Sequence, residues 1–340
     1  MSRPFLSVEN LAVLFPTSDG IVRATDGLSY TLERGKTLGI VGESGSGKSV
    51  SSSAILGLHR NTSAMVSGQI WFDGTELLGI SDDEMRAKRG KDVAMIFQDP
   101  LSALHPYYRV GDQISEAYLA HNSVPKRVAR ARTIEMLARV GIPQPDRRVD
   151  DYPHQFSGGM RQRVMIAMAL INDPILLIAD EPTTALDVTV QAQILDLLQD
   201  LQREFNTALI MITHDLGVIA EIADDVLVMY AGRAVEYGSA RELLTKPAMP
   251  YTWGLIQSIP DVSGPLDRPL RPIPGNPPSL LNPPVGCPFF ARCEYSRFVP
   301  GNRCATELPE LRPVDEGHLK RCHLEDDELD SYDAVLAGGH

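Results

Sequence analysis

Long hydrophobic runs are missing from this 340-residue sequence. The longest apolar runs, residues 164–171 and 175–179, are far shorter than the roughly 18 residues that a membrane span needs. Residues 1–9 contain no apolar signal segment with a cleavage site. We therefore expect a soluble, cytosolic chain, and any role at a membrane would depend on a partner.

Basic residues are also scarce. The chain has 32 lysines and arginines against 44 aspartates and glutamates, a formal net charge of −12. Coating of nucleic acid requires clustered basic side chains, so this balance argues against nucleic acid as a partner. Hydrophobic residues make up 43% of the chain, as in a globular protein with a real core. The length allows one large domain and a smaller one, and no internal repeat is visible.

Cysteine is absent from the first 286 residues, and all four cysteines follow. They come after or within a proline-rich stretch, residues 260–288, which has ten prolines and is predicted to be an extended linker. The clustering indicates one local site rather than a scattered disulfide framework. We therefore expect a large domain at residues 1–258, a proline-rich module with the cysteines at 259–325, and a solvated acidic tail at 326–340.

A glycine-rich loop, Gly42-Glu-Ser-Gly-Ser-Gly-Lys-Ser49, lies between an apolar run at residues 38–41 and a helical pattern at 48–58. A strand, such a turn and a helix, in that order, are the context of a phosphate-binding loop. The glycines let backbone N–H groups turn towards phosphates, and the helix directs its positive end at them. Lys48 would pair with the β- and γ-phosphates of ATP and Ser49 would bind Mg²⁺. The alternative, a turn that binds nothing, is disfavoured by the flanking strand and helix.

Three further apolar runs end at polar residues. Residues 93–97 precede Gln98, residues 175–179 precede Asp180 and Glu181, and residues 209–213 precede His214. Ligands bind at the carboxyl edge of parallel strands in open α/β sheets, so we expect these side chains and the glycine-rich loop to meet at one edge. There, Asp180 would hold Mg²⁺ and Glu181 would polarise an attacking water. The alternative is an acidic pair that caps a helix or forms ion pairs.

A second glycine motif, Ser157-Gly-Gly-Met-Arg-Gln-Arg163, precedes an apolar helical stretch at residues 164–171. Ser157 is a natural N-cap, and the two glycines leave the start of the helix uncovered. A bare helix N-terminus binds anions, although the same residues also fit a simple capped helix.

The order of these motifs resembles the nucleotide-binding subunit of an ABC transporter over residues 5–255. The motifs that carry the resemblance are the glycine-rich loop, Gln98, the segment Ser157-Gly-Gly-Met-Arg-Gln, the segment Ile175-Leu-Leu-Ile-Ala-Asp-Glu, the segment Ala185-Leu-Asp187, and Thr213-His214. The resemblance implies an α/β fold, namely a P-loop ABC ATPase domain with a RecA-like core, an antiparallel β subdomain and an α-helical subdomain at about residues 99–172. The small proline-rich cysteine module would follow it.

The same resemblance implies roles for single residues. The implied ATP contacts are Phe15, Gly42, Ser44, Gly45, Ser46, Gly47, Lys48, Ser49, Val50, Gln98 and His214. The implied Mg²⁺ ligands are Ser49, Gln98 and Asp180. Phe15 matches the aromatic residue that stacks on adenine, and Gln98 the residue that contacts Mg²⁺ and the water and senses the permease. The implied catalytic residues are Glu181 as the base, His214 at the γ-phosphate, and Gln98.

In this family, two ATP molecules lie between two nucleotide-binding subunits. Residues Ser157, Gly158, Gly159 and Met160 would therefore contact the ATP held by the partner's glycine-rich loop, and Asp187 matches a loop that crosses the dimer. Hydrolysis and closure of the dimer would then be coupled. The sequence departs from the commonest pattern at Phe156, usually Leu, and at Met160, usually Gln. Neither change removes the serine or the glycines.

Three segments resemble more closely the ATPases of dipeptide and oligopeptide importers, the D- or F-type subunits. They are Phe97-Gln-Asp-Pro-Leu-Ser-Ala-Leu-His-Pro106, residues 157–170, and Gly286-Cys-Pro-Phe-Phe-Ala-Arg-Cys293. This implies a peripheral subunit on the cytoplasmic face of the membrane, in a heterodimer with a second ATPase subunit, with two membrane permeases and an extracytoplasmic substrate-binding protein. Nickel or oligosaccharide import, a soluble ABC ATPase acting on DNA or ribosomes, and a phosphate-loop kinase or GTPase are the alternatives.

The four cysteines are separated by five, ten and seventeen residues, at Cys287, Cys293, Cys304 and Cys322. Four thiolates in a segment too poor in apolar residues to build its own core suggest a metal-organised module, with either zinc or an iron–sulfur cluster. Cysteines that hold no metal are the remaining alternative. The absence of a short Cys-x-x-Cys pair argues against the interpretation as a zinc site. Two disulfides are disfavoured in a cytosolic chain. His318 or His323 would be able to replace one ligand. The importer resemblance implies a 4Fe–4S cluster, which we expect to be structural.

Overall fold

The computed structural model of this chain describes residues 4–184, 186–258 and 272–325. Ala185 of the predicted dimer-loop motif, the proline-rich stretch from 259 to 271 and the predicted acidic tail at 326–340 lie outside these described residues.

The described strands form two sheets. Their bounds are β1 Leu6–Thr17, β2 Gly20–Leu32, β3 Thr37–Val41, β4 Met65–Phe72, β5 Thr75–Glu76, β6 Val93–Ile96, β7 Leu176–Asp180, β8 Ala208–Thr213, β9 Asp225–Tyr230, β10 Arg233–Ser239, β11 Arg312–Asp315 and β12 His318–Lys320. The smaller sheet is antiparallel, with the order β2-β1-β4-β5. The larger sheet has the order β11-β12-β10-β9-β3-β8-β7-β6.

The centre of the larger sheet is parallel, from β9 through β3, β8 and β7 to β6. Every residue of β3, β7 and β8 is buried, because both faces of these strands are covered. In β8, Leu209 and Met211 join the hydrophobic cluster on one face, while Ile210 and Ile212 join the cluster on the other. This two-sided burial explains the continuous apolar runs, and the predicted α/β class is confirmed.

The described helices contribute to the hydrophobic clusters on both faces of this sheet. Their bounds are α1 Lys48–Ile55, α2 Asp82–Lys88, α3 Pro100–Ala103, α4 Val110–Leu119, α5 Lys126–Arg139, α6 Pro145–Arg148, α7 Gly158–Leu170, α8 Val188–Phe205, α9 Leu216–Ile222, α10 Ala240–Thr245, α11 Pro250–Gln257 and α12 Arg303–Thr306. Helices α3 to α7 separate β6 from β7 in the chain. Ile114, Met136 and Val164, on α4, α5 and α7, are fully buried in one cluster.

The C-terminal residues extend the larger sheet. Strand β12 pairs with β10 in antiparallel register, with Glu236 opposite Lys320, and β11 pairs with β12. Side chains from this segment, such as Phe289 and Val299, belong to the same hydrophobic cluster as Val228 and Tyr251 of the large domain. In the described part of the chain, no helix is long and apolar enough to cross a membrane.

Candidate functional site

The glycine-rich loop joins the buried strand β3 to helix α1. Gly47 is the N-cap of α1 with φ +98°, and Gly42 has φ +152°. A Cβ at Gly42 would lie 2.2 Å from the carbonyl oxygen of Met229, and one at Gly47 would lie 2.2 Å from that of Ala24. Only glycine fits these two positions, because both the backbone conformation and the space exclude a side chain.

Lys48 is buried at the start of α1 and points back over the loop. Its Nζ donates to the carbonyl oxygens of Gly42 (2.7 Å) and Glu43 (3.0 Å). Burial lowers the pKa of Lys48, while the carboxylates of Glu181 and Asp180 act in the opposite direction. Among the described residues, the Lys48 ammonium group is therefore bound only by uncharged carbonyl oxygens. A phosphate at this place would give it a negatively charged partner.

Asp180 ends β7 beside the loop. Its carboxylate is hydrogen-bonded to the Ser49 hydroxyl, and burial raises the pKa of Asp180 despite that bond. The Oδ1 atom of Asp180 and the Oγ atom of Ser46 are buried without a hydrogen-bond partner among the described residues. Buried polar atoms are normally satisfied, so these two indicate the place of a polar ligand.

Glu181 is the centre of a cluster at the carboxyl edge of the sheet. Its Oε2 accepts hydrogen bonds from Gln98 Nε2 (3.0 Å) and from Thr184 Oγ1 (2.9 Å). Its Oε1 lies 3.4 Å from His214 Nδ1. The side chain of Glu181 is 17% exposed and that of His214 65%, so the cluster opens outward. The sheet order thus brings together the polar residues that follow β6, β7 and β8.

The backbone of Glu181 adopts an uncommon conformation, with φ +46°. Its N–H donates to the carbonyl oxygen of Ile212 on the neighbouring strand (2.9 Å). Left-handed conformations of residues other than glycine concentrate at functional sites, where the surrounding structure compensates for their cost. This turn directs the carboxylate towards Gln98 and His214.

The second glycine motif forms the start of α7. Ser157 is its N-cap, and its Oγ accepts from the Met160 N–H (3.3 Å). Ser157 and Gly158 are exposed, whereas a Cβ at Gly159 would lie 2.7 Å from Val190 of α8. Among the described residues, no hydrogen bond joins this helix start to the glycine-rich loop of the same chain. It is therefore an outward-facing surface.

Two other predicted site residues have clear positions. Phe15 on β1 is half-buried, and its ring stands edge-on to His59 at 5.5 Å between centroids. His59 in turn lies 3.2 Å from the carbonyl oxygen of Val50, in the first turn of α1. Asp187 is exposed and caps α8, accepting from the Val190 N–H at 3.0 Å.

Sequence reasoning missed four residues around this site. Thr184 contacts Glu181 and stands in the same loop, but a threonine after an acidic pair has no distinctive pattern. Glu43 is contacted by Tyr251 and Arg292. These partners are separated from Glu43 by 208 and 249 residues, so only the fold shows the contacts.

The predicted iron–sulfur cluster, and zinc as its alternative, are wrong for this structure. No group of three or more His, Cys, Asp or Glu side chains in the described residues has an arrangement that would hold a metal ion. The four cysteines are free thiols, and three of them are buried in the main hydrophobic cluster. Burial raises the pKa of Cys287 to about 12 and that of Cys304 to about 11, and neighbouring cysteines contribute to both shifts. The segment shares the core of the large domain, so it needs no metal to organise it.

The histidines considered as replacement ligands have other partners. His318 Nε2 lies 2.8 Å from the Glu236 carboxylate, and His323 Nε2 lies 2.9 Å from the carbonyl oxygen of Glu307. In each ring, Nε2 is therefore paired with an oxygen atom rather than with a thiol.

The fold and the site define a phosphate-loop ATPase, and comparison with known proteins identifies its class. Residues 25–184 match the family model described as "ABC transporter", and residues 235–298 match "Oligopeptide/dipeptide transporter, C-terminal region". Among solved structures, a dimeric post-hydrolysis state of the ATP-binding cassette MJ0796 bound to ADP and Pi is 26% identical, with a TM-score of 0.62, and covers 69% of this chain and 99% of its own. CbiO1 of Clostridium perfringens, part of the ABC transporter complex CbiONQ, is 30% identical with a TM-score of 0.61, over 72% of this chain and 92% of its own.

Curated relatives narrow the class to one family. The dipeptide transport ATP-binding protein DppD of Bacillus subtilis is 50% identical over 98% of both chains. The oligopeptide transport ATP-binding protein OppD of Salmonella typhimurium is 50% identical over 95% of both chains. This chain therefore belongs to the ABC transporter family, among its dipeptide and oligopeptide transport ATP-binding proteins, and it is the ATPase subunit of a transporter. The heterodimer predicted from the sequence is not supported by any of these comparisons.

Proposed function

We propose that this chain binds ATP with Mg²⁺ on its glycine-rich loop and hydrolyses it with Glu181 as the general base. The observation that carries the proposal is the meeting of Gln98, Glu181 and His214 beside the loop, at one edge of a parallel sheet. Such a cluster next to a phosphate site has the parts that phosphoryl transfer needs, namely phosphate donors, a carboxylate base and polar groups that orient water.

The residues fit ATP and Mg²⁺. The contacts we propose for ATP are Phe15, Gly42, Ser44, Gly45, Ser46, Gly47, Lys48, Ser49, Val50, Gln98 and His214. The unpartnered oxygens of Ser46 and Asp180 support a polar ligand there. Ser49, Asp180 and Gln98 would hold Mg²⁺ through oxygen atoms, the ligands this ion prefers, and the bound ion neutralises phosphate charge.

The chemistry of the chain's own residues follows from their positions. Lys48 would leave its two carbonyl partners for the β- and γ-phosphates. Gln98 and Thr184 hold the Glu181 carboxylate, which would accept a proton from the water that attacks the γ-phosphorus. The bond from that phosphorus to the β–γ bridging oxygen breaks as ADP leaves. His214 would contact the γ-phosphate.

A second cassette would complete the site. Ser157, Gly158, Gly159 and Met160 lie at the start of α7, where Ser157 and Gly158 are exposed and Gly159 and Met160 are half-buried. The exposed helix start supports contact of these residues with ATP on a partner subunit. Asp187 would lie in the loop that crosses this dimer. The MJ0796 cassette is dimeric in its post-hydrolysis structure, which supports the same arrangement here.

We further propose that the transported solute is a peptide, because the relatives named above are dipeptide and oligopeptide transport proteins. The subunit would lie on the cytoplasmic face of the membrane, bound to two permeases that receive peptide from an extracytoplasmic binding protein. An apolar groove beside Gln98 supports a permease contact. It is lined by Leu58, Phe97 and Met168, and 43% of Phe97 is exposed.

The test is Glu181→Gln in a complex in which this chain provides every functional ATP site. We expect ATP binding to persist, the closed dimer to accumulate, and hydrolysis to fall by about 100-fold or more, because an amide cannot accept the proton. Phosphate release and dimer formation with ATP are the measurements. Glu221→Gln, the same change at an exposed site on α9, is the control and should hydrolyse at the wild-type rate. Hydrolysis at the wild-type rate by Glu181→Gln would refute the assignment of the base.

A further inference from the structure

One arginine of the C-terminal segment, Arg292, forms an ion pair with the glycine-rich loop. Arg292 Nη1 donates to Glu43 Oε2 (2.6 Å), and Arg292 Nη2 donates to Glu43 Oε1 (2.9 Å). Glu43 is the second residue of the loop, 249 residues earlier in the chain. The Arg292 side chain is 5% exposed and that of Glu43 26%, so water competes little with this bidentate pair.

Arg292 is itself fixed by the segment that carries it. Its Nε donates to the carbonyl oxygen of Pro274 (2.8 Å), and its Nη1 also reaches the Tyr230 hydroxyl (3.2 Å). The guanidinium lies against the rings of Tyr230 and Phe289, at 5.8 and 5.9 Å from their centroids. Packing and hydrogen bonds therefore leave the guanidinium one orientation, with its two outer nitrogens towards the loop.

Glu43 connects this ion pair to the phosphate site through its backbone. Its backbone N–H donates to the Tyr251 hydroxyl (2.9 Å), and its carbonyl oxygen accepts from Lys48 Nζ (3.0 Å). Fixing the Glu43 side chain thus also fixes the peptide on which the Lys48 ammonium group rests. The contact of Arg292 is one residue away from Gly42 and one from Ser44, both proposed ATP contacts.

The same segment touches the other side of the proposed nucleotide site. The carbonyl oxygen of Leu280 accepts from the Arg23 N–H on β2 (2.9 Å), and the Leu281 side chain would lie 3.0 Å from a Cβ at Gly20. In this β1–β2 hairpin, Val22 pairs with Phe15, the proposed adenine contact. Residues 280–292 therefore connect the hairpin to the glycine-rich loop.

We propose that Arg292 is a positioning residue, which holds the glycine-rich loop of its own chain in the form that accepts nucleotide. The inference rests on the proposed function of that loop as the ATP site. A loop with glycines at Gly42, Gly45 and Gly47 has much conformational freedom to lose, and an ion pair that orders it beforehand reduces the entropy cost of binding. Lysine cannot replace the arginine, because its ammonium group lacks the planar pair of donors.

The experiment is a double-mutant cycle on ATP binding by the full chain, in the Glu181→Gln background so that ATP persists. Arg292→Lys and Glu43→Gln should each weaken Mg·ATP binding by about tenfold, and the double variant should be no weaker than either one. Calorimetric titration gives affinity and stoichiometry together. Unfolded protein would lower the stoichiometry, whereas a misplaced loop lowers the affinity.

Two controls make the outcome decisive. Arg303→Lys changes an exposed arginine of the same segment that pairs with Glu307, and it should bind as the parent does. Wild-type affinity of both single variants, or weakening that adds in the double variant, would overturn the positioning role. Lys48→Ala should abolish binding, and if it does not, the nucleotide site itself is misassigned rather than the role of Arg292.

Discussion

At the residue scale, the glycines of the phosphate loop are constrained for different reasons. Gly47 has a positive φ and also faces the Ala24 carbonyl oxygen, whereas Gly45 has a positive φ but nothing within 4 Å of its would-be Cβ. A side chain at Gly47 would therefore meet both strain and a backbone clash. Gly45 retains open space, as the lining of a ligand site requires.

Gly47→Ala should lower the free energy of unfolding by at least about 2 kcal/mol and remove ATP binding, because backbone strain and the clash with Ala24 both act. Urea unfolding and ATP titration are the measurements. Gly74→Ala is the matched control, since Gly74 has φ +76° in a turn with nothing within 4 Å of the added atom. It should cost about 1 kcal/mol and leave binding intact. Equal effects of the two variants would contradict the clash.

Much of the site was predictable from residues at strand ends. Gln98, Glu181 and His214 each follow an apolar run, and parallel strands place such residues at one edge. The contacts of Arg292 and Tyr251 with Glu43 were not predictable, because nothing local in the sequence connects residues more than 200 positions apart. These contacts form only when the C-terminal segment folds back on the loop.

At the element scale, helix α7 has two faces at its first turn. Gly159 packs against Val190 of α8, while Gly158 has open space around its would-be Cβ. The first glycine that follows Ser157 is thus free for an approaching partner, and the second is needed for the packing of α7 on α8.

The two glycines should therefore respond differently to alanine. Gly159→Ala should destabilise the isolated subunit by about 1–3 kcal/mol, since a Cβ 2.7 Å from Val190 overpacks the contact. Gly158→Ala should change its stability by less than about 1 kcal/mol but abolish ATP-driven dimerisation, because the methyl group would obstruct the partner's nucleotide. Thermal unfolding and light scattering with ATP measure the two effects. Normal dimerisation of Gly158→Ala would show that this helix start does not meet ATP.

The prediction of a metal in the cysteine segment was wrong because the segment was considered by itself. It is a proline-rich stretch with too few apolar residues to form a core of its own, and this suggested that a metal organises it. In the structure, Phe289, Tyr295 and Val299 pack into the core of the large domain, and β12 extends its sheet. A segment that shares a core cannot be judged by its own apolar content.

At the scale of the whole molecule, a buried charge pair joins the C-terminal segment to the large domain. His318 on β12 lies 2.8 Å from the Glu236 carboxylate on β10, and both side chains are almost fully buried. Glu236 also accepts from the backbone N–H groups of Ala248 (2.6 Å) and Met249 (3.2 Å). Loss of one partner would leave a buried charge, so this pair makes folding of the two regions interdependent.

The pair also gives the stability of the molecule a pH dependence with a definite sign. The hydrogen bond to Glu236 raises the pKa of His318 above its ordinary 6.5; Glu242 adds to the effect, while burial and Lys320 oppose it. The folded chain therefore binds this proton more tightly than the unfolded chain does. The stabilisation that protonated His318 gives to the folded state is fully present below about pH 6. It is lost as the pH rises through the pKa of His318 in the folded chain.

We expect the urea concentration at the midpoint of unfolding to decrease as the pH is raised from 6 to 9 in the wild type. His318→Gln should make this decrease smaller, because the glutamine amide can donate to Glu236 at every pH. His323→Gln is the control, since its ring contacts the backbone oxygen of Glu307, and it should keep the wild-type slope. A full wild-type slope in His318→Gln would show that another group carries the pH dependence. A midpoint that rises with pH only in the wild type would reverse the sign of the linkage and exclude a protonated His318 as the partner of Glu236.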